Sequence, residues 1–176
     1  GDALIRHQLC QEAIHLAKVV NELIGDEPEV MGLLALMLLL DARTAARTGP
    51  DGELIPLEEQ DRTRWDQTQI ANGIQLMRRV LRLGEMGHYA LQGATAAVHA
   101  EAKTPEETDW GQIARLYGFL AQISGSPVVE LNRAVAIAMS GDLAAGLAMI
   151  DQLIASGELT NYHLIYAARA DLHLRM

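Results

Sequence analysis

Two motifs recur along this chain in step with one another, and that constrains its fold more than any other feature. In one series a large aliphatic residue follows a small one, at Ala13-Ile14, Gly73-Ile74, Gln112-Ile113 (where the small residue is lost) and Gly146-Leu147. In the other an alanine sits inside an apolar run, at Ala35, Ala94, Ala134 and Ala168. The first series steps by 60, 39 and 34 residues and the second by 59, 40 and 34. Motifs that drift together belong to one unit, a helix pair repeated with insertions. Periods of this size mark a stacked helical array.

Composition agrees. Hydrophobic residues make up 49% of the 176, yet aromatics only 4%. Ala, Leu, Ile, Val and Met suit close helix packing, and the mixture suits a β-sandwich poorly. A single core of this length is expected, so residues 1–176 read as one domain. The chain opens at Gly1 without Met and already at the edge of a helix, which reads as a fragment of a longer protein.

Eight helices follow from periodicity and punctuation. The first covers about 3–24, with Leu9, Ala13, Leu16, Val20 and Leu23 as its inner stripe and Cys10 on the same inner face. The second starts at an Asp26 cap with Pro28 in its first turn, runs to about Arg47 and stops at Gly49-Pro50. Its run from Val30 to Leu40 is too short for a membrane span and reads as a helix buried on several faces. An irregular insert fills about 48–65, with a turn signal at Pro50-Asp51-Gly52. The others cover about 66–84, 88–102, 109–124 (capped by Thr108 or Asp109), 127–140 (capped by Ser126), 142–156 and 161–175 (capped by Asn161).

The stretch PVVELNRAVAIAMSGDLAAGLAMIDQLI resembles a tetratricopeptide repeat. Ala134, Ala138 and Ala145 fall where the paired helices cross, and Leu147, Ile150 and Ile154 where the next repeat stacks. The resemblance implies an all-α, right-handed superhelix of antiparallel helix pairs with half-repeats closing each end.

A more specific resemblance covers nearly the whole chain. Its segments are EPEVMGLLALMLLLDARTAAR, LEEQDRTRWDQTQIANGIQL, YALQGATAAVHAEA, TDWGQIARLY, SPVVELNRAVA and YHLIYAARADLHLR. In this order they resemble the C-terminal extension of one subgroup of extracytoplasmic-function sigma factors, bacterial RNA polymerase initiation subunits. The run Gln60-Asp61-Arg62 to Trp65-Asp66 is the part generic repeats lack. The resemblance implies a cytoplasmic parent whose sigma-2 and sigma-4 modules, which bind polymerase and read promoter DNA, are outside these residues. It implies a regulatory tail whose partners are core polymerase, the sigma modules of the same chain or a small sensor protein. A free-standing peptide-binding scaffold unrelated to transcription is the alternative.

Two sets of residues are candidates for partner binding. The first helix of each tetratricopeptide pair lines a concave groove, which selects Arg43, Arg47, Gln92, His99, Asn132 and Arg169. Amides and fixed positive charges there suit the backbone and carboxylates of an acidic segment. The competing role for these arginines is pairing with neighbours such as Asp41 and Asp171. The second set is the insert: Glu58, Gln60, Asp61, Arg62 and Trp65. Its charges could pair among themselves, including Glu59 and Arg64. Trp65 would either anchor the insert or contact a partner, whereas Trp110 reads as core.

Other functions find little support. A net charge of −9 with scattered basic residues argues against direct nucleic-acid binding. One cysteine excludes a disulfide framework. No histidine pair has HExxH spacing, and GxSxG, phosphate-loop and GxGxxG motifs are missing, so neither enzyme activity nor a metal or cofactor is expected. A metal site from His7, Cys10 and Asp2 is the weakest candidate. The Met- and Ala-rich faces of the end helices are either solvent caps or a homodimer contact.

Overall fold

The computed structural model describes residues 7–175. Among the described residues the chain is all-α, with eight α-helices, four short 3-10 turns and one isolated β-bridge. It divides into two compact units, one ending at Thr108 and the other beginning at Asp109.

The first unit holds α1 (His7–Ile24), α2 (Pro28–Asp41), α3 (Gln67–Leu83) and α4 (His88–Glu101). Helix α2 is its centre and packs against the other three. The sequence PEVMGLLALMLLLD is apolar on every side, and Met31, Leu34, Ala35, Leu38 and Leu39 are all buried. A helix of that kind is covered on several faces, as expected from its sequence, with Leu40 near its end 37% exposed. Gly32 lets α4 approach closely, since a Cβ there would lie 2.5 Å from the Ala90 backbone.

Helix α1 covers α2 on a face other than the one expected. Ile14 is buried with Leu34 and Leu38, and Ala17 packs beside them. Leu9, Leu16 and Leu23 instead remain 52%, 63% and 81% exposed. The apolar stripe is wider than the face α2 can cover, so the period located the helix but not its inner side. Cys10 is half-buried.

Helix α2 also ends earlier than its composition suggests, at Asp41 in place of Arg47. The Ala42 carbonyl accepts the Asp66 N–H at 2.9 Å, so the insert returns to the helix end before the Gly49-Pro50 breaker. Thr44–Ala46 forms a 3-10 turn. The insert itself is ordered. Thr48 and Leu54 form the bridge around the Pro50-Asp51-Gly52 turn, and 3-10 turns follow at Leu57–Glu59 and Arg62–Arg64.

The second unit holds α5 (Trp110–Ser124), α6 (Pro127–Met139), α7 (Leu143–Ser156) and α8 (His163–Leu174). Its core joins Leu131, Ala134, Ala138, Leu147, Ile150, Leu159, Ile165 and Leu172, with Ile154 packed against it. Ala134 and Ala138 meet α7 at the expected crossing. Gly146, more than the half-buried Ala145, is the opposing residue. Trp110 is half-buried at the start of α5, short of the core position expected.

Of the expected caps, Asp109 accepts a backbone N–H bond at the start of α5. Asp66 and Asp142, not singled out as caps in the sequence, do the same for α3 and α7. Three expected caps differ. Asp26 pairs with Arg79 while Glu27 precedes α2. Ser126 holds its cap position without a side-chain bond. Tyr162, one residue past Asn161, precedes α8.

One substitution should have opposite effects at two glycines of the second unit. A Cβ at Gly146 would lie 2.6 Å from Ala138 and 2.7 Å from the Ala134 carbonyl, whereas at Gly118 the nearest atom is 3.7 Å away. Alanine gains about 1 kcal/mol of helix propensity at either site. At Gly146 overpacking of roughly 1–3 kcal/mol outweighs it. Urea melts should show Gly118→Ala stabilised and Gly146→Ala destabilised.

Candidate functional site

Four of the predicted residues, two from each set, meet in the first unit. Trp65 ends the 3-10 turn Arg62–Arg64 and is 4% exposed, packed with Ala42, Ala46 and Ala97. The Arg62 guanidinium lies 4.7 Å from its ring centroid and that of Arg43 lies 6.0 Å away, both within cation–π range.

Arg62 also reaches α4. Its Nη1 donates to the His99 carbonyl at 2.9 Å and to the Ala102 carbonyl. The first belongs to the last turn of α4 and the second to its C-cap residue, where carbonyls lack intrahelical partners. A cation there is further favoured by the helix dipole. The opposite end of α4 is held in the same way. Gly87 offers no capping side chain, and Glu29 of α2 accepts the N–H groups of Tyr89 at 2.8 Å and Ala90 at 3.0 Å. Helix α4 is thus capped at both ends by charges from distant positions in the chain.

The electrostatics follow from this crowding. Burial, then Arg47 and Arg62, lower Arg43 to about 10, so it stays charged at neutral pH. Burial lowers Arg62, opposed by the carboxylates of Glu106 and Glu107. Burial, then Arg43 and Arg62, push the His99 imidazole down to about 4. Nε of Arg43, Nε of Arg62, the Trp65 indole N–H and the Gln60 Oε1 are buried without a hydrogen-bond partner among the described residues. Three of these four atoms are donors, and buried donors of this kind call for an acceptor.

The remaining candidates are placed elsewhere. Arg47 follows the 3-10 turn and lines a cavity of about 400 Å³ between α1 and α2, with Cys10 and Ile14. Gln92 bonds His88 on the outside of α4 at 3.2 Å. In the second unit Asn132 shares a side-chain hydrogen bond with Tyr117. Arg169 pairs with Asp151 at 2.6 Å, and Asp171 with Arg175. Asp41 accepts from Gln11 and Gln69, so it pairs with none of the candidate arginines. In the insert, Gln60 is buried and donates to the Ile55 carbonyl at 3.0 Å. Asp61 accepts from the N–H and hydroxyl of Thr63, which lowers its pKa. Glu58 is exposed. The insert charges therefore do not simply pair among themselves, because Arg62 is spent on Trp65 and α4. Asp2 lies outside the described residues. Among those described, no three His, Cys, Asp or Glu side chains cluster as metal ligands, and no helix is long and apolar enough to cross a membrane.

Fold and site together define an all-helical protein with an arginine–tryptophan knot tying an ordered insert to a helix end. A family of unknown function (DUF6596) matches residues 1–81, which include the insert, Arg43, Arg62 and Trp65. An uncharacterized protein of Rhizobium meliloti (strain 1021) is 41% identical over 173 residues, 98% of this chain. The chain spans 40% of that relative's length. No solved structure matches the chain.

Two measurements test the knot. Arg62→Ala removes two charge-assisted bonds and one cation–π contact, and should cost roughly 2 kcal/mol in a urea melt. It should also raise the His99 pKa, read by NMR of the imidazole. The wild-type His99 value is depressed, so stability is full above the unfolded value near 6.5 and falls as pH drops towards about 4. The loss is up to about 3 kcal/mol. His99→Gln should flatten that part of the pH–stability curve.

Proposed function

We propose that this chain is a regulatory, protein-interaction domain of an extracytoplasmic-function sigma factor. It acts in the cytoplasm on transcription initiation, by binding the sigma modules of its own chain, core RNA polymerase or a small sensor protein. It is not an enzyme and does not itself grip nucleic acid. The right-handed superhelix implied by the resemblance belongs to the same proposal.

The observation that carries this reading is the ordered series of six segments, with Gln60-Asp61-Arg62 to Trp65-Asp66 as the specific part. The residues of that run are used to tie the insert to α2 and α4, where a generic helical repeat has no insert. The length of the Rhizobium meliloti relative leaves room for further modules in that protein.

The test is promoter-specific run-off transcription with core polymerase and the full parent protein, with and without residues 1–176. Deletion should raise or abolish the transcript, by at least about tenfold, a shift of roughly 1.4 kcal/mol. Unchanged transcript, or a parent that directs none, overturns the reading and leaves the peptide-binding scaffold.

A further inference from the structure

Beside the knot the first unit opens into a cavity of about 580 Å³ that no predicted groove residue lines. Its walls are the Arg62–Arg64 turn, α3 from Gln67 to Arg78 and the end of α4 with the residues just after it. The floor is apolar, with Trp65, Ile70 and Ile74 as its large side chains. The rim carries three cations, Arg62, Arg78 and Lys103, against one carboxylate, Glu101.

This distribution is unusual for a chain of net charge −9. Among the lining side chains cations outnumber acids three to one, while Glu106 and Glu107, outside the lining, also act on Arg62. Arg78 and Glu101 are 3.9 Å apart with side chains 69% and 52% exposed, a pair of small energetic worth that an incoming carboxylate can replace. Lys103 is exposed. Arg62 is held in place by its bonds to α4, so its charge at the rim is fixed at little further entropic cost on binding. The indole N–H of Trp65 and the Nε of Arg62 are buried donors without a partner among the described residues.

We propose that this cavity docks an acidic peptide segment of a partner protein. One apolar side chain of the segment enters the cavity against Ile74, the half-buried member of its apolar lining, and flanking Asp or Glu carboxylates meet Arg62, Arg78 and Lys103. Charge complementarity sets the choice of acid, and the aliphatic floor sets the choice of anchor. A single-stranded nucleic acid fits less well, because it needs exposed aromatic faces for stacking and a continuous basic track. Trp65 is buried, and the net charge of −9 disfavours phosphates. The net negative charge also rejects acidic segments that lack the apolar anchor, which gives the site selectivity. This inference holds whether or not the partner belongs to the transcription machinery.

Selection from a displayed library of random dodecapeptides tests it, using wild-type protein and counter-selection on Arg78→Glu/Lys103→Glu. Enriched peptides should pair Asp or Glu with Leu, Ile or Phe. They should bind wild type at least about tenfold more tightly than the double variant, and more weakly as salt rises. In a Trp110→Phe background their binding should shift Trp65 emission. Circular dichroism confirms that the variant is folded. Lys103→Glu alone, at an exposed position, serves if it is not, and should weaken binding in the same direction. Failure to enrich any peptide overturns the proposal. So does a consensus without acids, equal retention by the charge-reversed protein, or displacement by oligo-dT at lower concentration than by the best peptide.

Discussion

Helix α4 brings no caps of its own, and the site depends on how that deficiency is met. Its first N–H groups end on Glu29 and its last carbonyls on Arg62. An uncapped helix end buried in a domain is costly, because each orphaned group loses water without replacement. Glu29 comes from α2, the buried centre of the unit, and Arg62 from the insert. Each cap therefore joins two parts of the chain that the helix core alone would not hold in register. Arg62 completes the arrangement by lying over Trp65, which places the insert against the apolar side of α3 and α4.

What the sequence revealed follows from the range of the forces involved. Eight helices could be read because period and punctuation act over a few residues. Asp66, Asp109 and Asp142 are caps whose partners lie two or three residues away. The burial of α2 on several faces was legible for the same reason, since its run from Val30 to Leu40 is apolar throughout. Face selection was not. The α1 stripe from Leu9 to Leu23 has a faultless period, yet Ile14 is the buried residue, because the shape of α2 decides which part of a wide apolar arc is covered. The end of α2 was misread because the Ala42–Asp66 bond joins positions 24 residues apart, and no local breaker marks it.

The site shows the same division. Residue types in the insert pointed to Arg62 and Trp65, and helix register pointed to Arg43 and His99. Nothing in the spacing said that these four meet. Gln92, Asn132 and Arg169 share the same register argument yet are engaged with His88, Tyr117 and Asp151. Register places a residue on a helix, but partners at other positions decide its use. Arg78 and Lys103 carried no signal in the sequence beyond their charge. They matter only because α3 and the end of α4 border one cavity.

The bond between Ala42 and Asp66 closes the insert at its base, and a second, from the Ile55 N–H to the Arg47 carbonyl, closes it again nearer the tip. Beyond that second closure, residues 50–54 are exposed. A loop sealed twice below its apex transmits little of what happens at the apex to the helices beneath. Extra chain spliced in at Asp51-Gly52 would cost only about 0.6 kcal/mol per doubling of loop length. The turn is thus a natural place for length variation among related chains, and a convenient one for a reporter group that leaves the tryptophan undisturbed.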